Sequence, residues 1–208
     1  MSIYEMSVNE YLAVAASKSA TPGGGSVSAV VAANAAAMVS MVANLTIGKK
    51  GYEDYNDEAI EVAAAAGKII EELKELTARD MAAFDIFVKA WKMPSDTAEE
   101  KAAKAKANEE AAQNASSVPM EIAKACLECM KLAKQMAPWG NKSAISDVGV
   151  VAYVAEGALK AAMLSVDINL PGLKTKAFAD NLVAERARLF AEAEELKIHA
   201  LCEVKKRM

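Results

Sequence analysis

Apolar positions recur at helical spacing along almost the whole chain, and the interruptions between them mark where each helix starts and stops. Ser7 followed by Glu10 forms a capping box, and Val8, Tyr11, Leu12, Ala15 and Ala16 carry a short helix through about Ser17. Thr21-Pro22-Gly23-Gly24-Gly25-Ser26 then breaks the pattern, after which Val27 to Ile47 carries no charge. About 20 apolar residues suffice to span a bilayer. Here Asn34, Ser40 and Asn44 interrupt the run and alanine and valine outnumber leucine, so the segment is expected to be the central helix of a bundle, with no membrane involved.

Gly48 to Asp57 is a polar connection containing Lys49 and Lys50. Helical spacing resumes from about Glu58 to Trp91 through Ile60, Ala63, Ile69, Ile70, Leu73 and Leu76, and Pro94 ends it. Ser95, Asp96 and Thr97 are cap candidates for Ala98 to Asn114, whose Lys, Glu and Ala predict a solvated amphipathic helix. Pro119 predicts a kink or a fresh helix to about Met136, since proline has no N–H to give its helix. Ala137 to Lys142 turns the chain, a weakly charged helix covers roughly Ile145 to Ser165, and a last one runs from about Lys174 to Lys206. The expected fold is all-α, a single-domain bundle of six or seven helices over residues 1–208.

Composition sharpens this picture. The hydrophobic class is 53% of residues but aromatics are only 5%, so small side chains must form the core and helices must approach closely. A net charge of -4 disfavours a nucleic-acid partner, which calls for a basic surface. Three cysteines with no secretory leader in view predict free thiols and a cytoplasmic location.

Few groups can carry chemistry. Gly23-Gly24-Gly25-Ser26 entering a helix offers backbone donors at the positive end of a dipole, or serves as a tight connection. Asp80 and Asp147 sit among apolar neighbours and are acid–base candidates; the plainer alternatives are an ion pair of Asp80 with Arg79 or a lysine, and a helix cap at Asp147. Cys126 and Cys129 have the C-x-x-C spacing but no second ligand pair, and the single histidine, His199, is expected on the surface. No metal site is expected.

Taken in order, Thr21-Pro22-Gly23-Gly24-Gly25-Ser26, Met41 to Lys50, Asp80 with Ala83 and Phe84, Val118-Pro119, Gly140-Asn141, Ser146-Asp147-Val148-Gly149-Val150 and Ile168-Asn169-Leu170 resemble the cyclodeaminase/cyclohydrolase family of folate enzymes. This is the C-terminal part of formiminotransferase-cyclodeaminase together with free-standing methenyltetrahydrofolate cyclohydrolases. The resemblance covers about residues 4 to 200 and departs from the family at Ser165, where asparagine is usual. It implies a helical homodimer with a tetrahydrofolate derivative as substrate and no further cofactor. It implies Asp80 and Asp147 as catalytic groups, one activating water and the other balancing a cation. Gly23, Gly24, Gly25, Ser26, Phe84, Asn141 and Asn169 would contact substrate, and Lys49, Lys50 or Lys142 would attract its glutamate tail. Hydrolysis of methenyltetrahydrofolate to formyltetrahydrofolate is favoured because no formiminotransferase domain accompanies the chain. Ammonia-releasing cyclodeamination of formiminotetrahydrofolate is the alternative, and an inactive helical scaffold or regulator the third.

Overall fold

Six α-helices account for most of the computed structural model, which describes residues 2–208; among these no strand occurs. They are α1 (Val8–Ala15), α2 (Gly24–Asn44), α3 (Asn56–Trp91), α4 (Ala98–Met136), α5 (Ile145–Asp167) and α6 (Lys176–Arg207). The Ser7–Glu10 capping box starts α1 as its sequence predicts, and a second box, Thr97 with Glu100, starts α4.

Helix α2 packs against α3 and α5, α4 closes the ring on their far side, and α6 lies across α4 and α5. The alanines explain how the ring closes so tightly. Ala29, Ala32, Ala36 and Ala43 of α2 are fully buried, presenting almost no side-chain bulk to the neighbouring helices. Larger side chains fill the remaining volume, among them Leu73, Leu76, Ile122, Met130, Leu159 and Met163. Each contributes on the order of 1.5–3 kcal/mol by leaving water.

Two boundaries differ from their sequence expectations, each for a local reason. The glycine run does not precede the central helix: Gly23 is its N-cap and Gly24 its first residue. The Gly23 N–H donates to Ser26 Oγ at 3.0 Å, so a serine inside the first turn supplies the acceptor that glycine lacks. At Pro119 the helix neither ends nor restarts, and α4 runs on for 39 residues. The carbonyl that Pro119 leaves without a donor, that of Ala115, accepts instead from Asn169 Nδ2 at 3.1 Å. A residue after the end of α5 thereby repairs α4 and ties the two helices together.

The first half of α4, through Glu110, contains no buried residue, in line with its charged composition. Cys126 and Cys129 are free and fully buried, and His199 is exposed. Helix α2 and the segment Lys142–Gly172 are long and apolar enough to cross a membrane by length and composition, and 56% of each apolar window is buried inside the bundle. Their outward sides nevertheless carry large apolar residues beside Asn34, Asn44, Ser146 and Lys160. Val31 is exposed on α2, Leu45 just past its end, and Val150, Tyr153 and Leu164 on α5.

Candidate active site

A cavity of about 430 Å³ opens where the first turn of α2 meets the middle of α3, the end of α5 and Pro119 of α4. Among the described residues that line it, Asp80 is the one ionisable group and none is a lysine or arginine. Asp80, Ala83, Phe84 and Phe87 follow helical spacing, so one face of α3 supplies both the carboxylate and two aromatic rings.

Glycine at position 25 is what lets that carboxylate reach the helix start. A Cβ there would lie 2.8 Å from both Cγ and Oδ2 of Asp80, and closer still to Oδ1. The carboxylate therefore rests directly on the α2 backbone, at the positive end of its dipole. The anion site offered by the glycine turn is thus occupied by the protein's own acid. Burial raises the Asp80 pKa above its ordinary value, opposed by hydrogen bonds from the Ser26 side chain and backbone. No ion pair intervenes: Arg79 turns away and binds Glu121 through two hydrogen bonds of 2.6 and 2.9 Å. The plainer alternative for Asp80, an ion pair with Arg79 or a lysine, is not found among the described residues.

Across the Gly24–Gly25 peptide lies α5. Ser165 Oγ is 3.8 Å from the position a Gly24 Cβ would take. Ser28, Thr46, Thr77, Ser116 and Ser117 all return their hydroxyls to the carbonyl four residues back. Ser165 makes no such bond among the described residues, so its hydroxyl is available to the cavity. Asn169 also lines it, with its amide nitrogen committed to the Ala115 and Ser165 carbonyls and its Oδ1 left over.

The remaining residues singled out from sequence lie elsewhere. Asn141 is buried beside the far end of α2, where its N–H donates to Thr46 Oγ1 at 2.9 Å and its Oδ1 accepts from Lys49 Nζ at 3.3 Å. Asp147 stands in the first turn of α5, near that same end. Eighteen residues of helix, about 27 Å at 1.5 Å each, separate it from Ser165. Within the chain, therefore, Gly23, Gly24, Gly25, Asp80, Phe84 and Asn169 converge, with Ser26 directly behind Asp80. Lys49, Asn141 and Asp147 do not join them, because α2 and α5 run antiparallel and place these residues at opposite ends.

Sequence reasoning did not assign Thr21, Phe87, Pro119 or Ile168 to the cavity, and treated Ser165 as a departure rather than a lining residue. Phe87 was visible as the next turn after Asp80 and Phe84. Pro119 was not, because its place depends on a helix that continues through it.

An all-helical bundle whose cavity is lined by one half-buried carboxylate, two phenylalanine rings and a glycine helix start defines a class: a helical bundle with a small-molecule pocket. Residues 7–188 match the family described as Formiminotransferase-cyclodeaminase. The chain is 39% identical over 189 residues to methenyltetrahydrofolate cyclohydrolase of Methylorubrum extorquens, covering 91% of each. It is 30% identical over 193 residues to formimidoyltransferase-cyclodeaminase of Mus musculus, covering 93% of this chain and 36% of that protein. The crystal structure of formiminotetrahydrofolate cyclodeaminase from Thermotoga maritima superposes with a TM-score of 0.88 at 29% identity, covering 98% of both chains. This chain belongs to the formiminotransferase-cyclodeaminase family.

Proposed function

We propose that the chain is a folate one-carbon enzyme that hydrolyses methenyltetrahydrofolate to formyltetrahydrofolate in the Asp80 cavity. The observation that carries this reading is a carboxylate with no cation of its own, held on the α2 amides beside two aromatic rings. The methenyl group bridges two nitrogens as a planar amidinium cation. An ionised Asp80 attracts it strongly in a partly desolvated pocket. Phe84 and Phe87 offer apolar faces to the ring system.

Hydrolysis removes both protons of the attacking water, returns one to nitrogen and releases the other. Asp80 accepts the first as the water attacks the bridging carbon, which then carries two nitrogens and a hydroxyl and no net charge. The protonated acid delivers that proton to the departing nitrogen, and as the C–N bond breaks the hydroxyl proton passes to solvent, leaving a formyl group on the other nitrogen. A carboxylate whose burial raises its proton affinity serves both steps better than an ordinary one. Ser165 Oγ and Asn169 Oδ1, on the opposite side of the Gly24–Gly25 peptide, offer hydrogen bonds to the ring edge or to the water. Neither step requires a metal or a further cofactor.

The similarity to the Methylorubrum cyclohydrolase over nine-tenths of both chains supports hydrolysis. Cyclodeamination is the second reading, favoured by the likeness to the Thermotoga cyclodeaminase across the full chain. In that reaction a folate nitrogen attacks the same carbon and ammonia leaves. We also propose a homodimer, from the apolar outer sides of α2 and α5 and the family membership.

A paired assay decides the reaction. Purified chain is expected to accelerate the loss of methenyltetrahydrofolate near-ultraviolet absorbance over the uncatalysed rate, with no ammonia from formiminotetrahydrofolate. Ammonia release without hydrolysis would select cyclodeamination. Absence of both would leave the scaffold reading standing.

A further inference from the structure

Two walls of the Asp80 cavity come from parts of the chain that little core holds in place. Phe84 and Phe87 belong to the outer arm, in which the end of α3 pairs with the start of α4, and Ile168 and Asn169 belong to the connection between α5 and α6. Between Phe84 and Glu110 the arm buries Ala90 alone, and the connection, residues 168–175, buries none.

Hydrogen bonds do the holding, in two clamps on α4. At one end of the connection, Asn169 Nδ2 donates to the Ala115 carbonyl at 3.1 Å and to the Ser165 carbonyl at 2.9 Å. At the other end, the backbone N–H groups of Lys174 and Thr175 donate to the two carboxylate oxygens of Glu109 at 2.8 and 3.0 Å. Gln113, one turn further along α4, donates its amide to Glu109 at 2.9 Å and to Thr175 Oγ1 at 3.2 Å, bracing both partners. Thr175 is the N-cap of α6 and makes no side-chain cap bond, so the charge beside that helix start comes from Glu109, with the sign its dipole favours. The Lys174 N–H first, then the Gln113 amide and Thr175, hold the Glu109 carboxyl down at about 2, so it stays a charged acceptor near neutral pH. Among the described residues, no hydrogen bond or ion pair besides those of Glu109 and Gln113 joins this outer part of α4 to α5, α6 or their connection.

The two clamps act as one. Glu109 and Ala115 are six residues apart on α4, about 9 Å. On the facing side, Asn169 and Lys174 are joined by the tight turn Leu170–Gly172, where the Gly172 N–H bonds the Asn169 carbonyl at 3.0 Å and the Leu173 N–H bonds the Leu170 carbonyl at 3.2 Å. A turn bonded within itself moves as a unit, so releasing Lys174 and Thr175 lets Asn169 leave α4 with them.

We infer that Glu109 is a positioning residue for the Asp80 cavity: by clamping Lys174 and Thr175 to α4 it keeps Ile168 and Asn169 facing Phe84 and Phe87, and so favours substrate binding without touching substrate. The effect on substrate rests on the folate reading above; the clamp does not.

Kinetics and proteolysis test the two parts separately. Glu109→Gln removes the charge and sets an amide among N–H donors. It should raise KM for methenyltetrahydrofolate about tenfold with kcat within about twofold of wild type, the signature of binding lost equally in ground and transition states. Gln113→Ala leaves the carboxylate but removes its brace, and should show the same pattern with a smaller rise. Thr175→Pro attacks the clamp from the other side, since its φ of -74° suits proline, which takes away one N–H and the hydroxyl. Combined with Glu109→Gln it should raise KM no further than the worse single change, because both break one contact. Glu110→Gln, an exposed neighbour with Lys106 3.8 Å away, should keep the wild-type KM. Trypsin reads the clamp without folate. Cleavage after Lys174, located by mass spectrometry, should run about tenfold faster in Glu109→Gln than in wild type, since it follows the population of the opened segment. Unchanged cleavage would mean that there is no clamp. Faster cleavage with an unchanged KM, a loss confined to kcat, additive effects of Glu109→Gln and Thr175→Pro, or an equal rise in Glu110→Gln would each overturn the positioning role. An inactive wild type would sink the folate reading alone, leaving the cleavage rates to decide the clamp.

Discussion

The two ends of α2 are built from similar materials and differ in how their polar groups are matched. At the Asn44 end, Thr46, Asn141, Lys49 and Tyr52 spend their donors and acceptors on one another and on backbone. At the Gly24 end, a carboxylate sits without a cation, Ser165 keeps its hydroxyl free, and Asn169 retains an unused oxygen. Satisfied networks hold helices in register; unsatisfied groups around a cavity wait for a ligand. The same contrast says which substitutions should damage chemistry and which should damage the fold.

The largest effect is expected at Asp80. Replacing it with asparagine should lower kcat by about 10³-fold, within the range for losing a general base. The fold should not suffer. Burial disfavours the ionised carboxylate, so wild-type stability falls as pH rises from the unfolded carboxylate value through the raised folded one, and the variant lacks this fall. Thermal melts should therefore show Asp80→Asn at or above wild type at pH 8, with the difference shrinking toward pH 4. A lower melting point at pH 8 would contradict the burial argument.

Next come the paired glycines. Gly25→Ala drives a methyl into the Asp80 carboxylate and should cost about 100-fold in kcat/KM, comparable to a 1 Å displacement of a reacting group. Gly24→Ala meets Ser165 only at ordinary contact distance, so its melting point should match wild type within a degree or so and its rate loss should be much smaller. Equal losses at both positions would mean that the Asp80 placement is not what Gly25 protects.

At the matched end, Asn141→Ala leaves the Leu45 carbonyl and the Ser143 N–H without their side-chain partner, while the backbone N–H at position 141 keeps its bond to Thr46 Oγ1. It should destabilise by about 1–3 kcal/mol. For a chain of this size that lowers the melting point by roughly 2–4 °C per kcal/mol. The smallest effect belongs to Ser165→Ala, which removes a hydroxyl that the protein itself does not use. Stability should be unchanged, and KM should rise a few-fold if the hydroxyl contacts substrate.

Much of the architecture was legible in advance because helix ends announce themselves locally. Ser7 with Glu10, Thr97, Pro94 and the uncharged run of α2 each acted over a few residues. Pro119 left a kink and a fresh helix both open because its outcome was decided far along the chain, where Asn169, 54 residues after Ala115, supplies the missing donor to that carbonyl. The site divides along the same line. Asp80, Phe84 and the glycines were readable as a buried acid near a helix start, and Asn169 from the resemblance. Asp147, Lys49 and Asn141 were grouped with them because chain order does not disclose which end of two antiparallel helices a residue occupies. The outward apolar faces of α2 and α5 were likewise hidden inside sequences that read as buried throughout.

The pH dependence of kcat/KM for methenyltetrahydrofolate, corrected for the uncatalysed reaction, tests the role of Asp80 most directly. The wild type should lose activity on an acid limb above the ordinary carboxylate range of about 4, and Asp80→Asn should show a low rate with that limb gone. A variant that keeps both the wild-type rate and the same limb would show that another group does the chemistry.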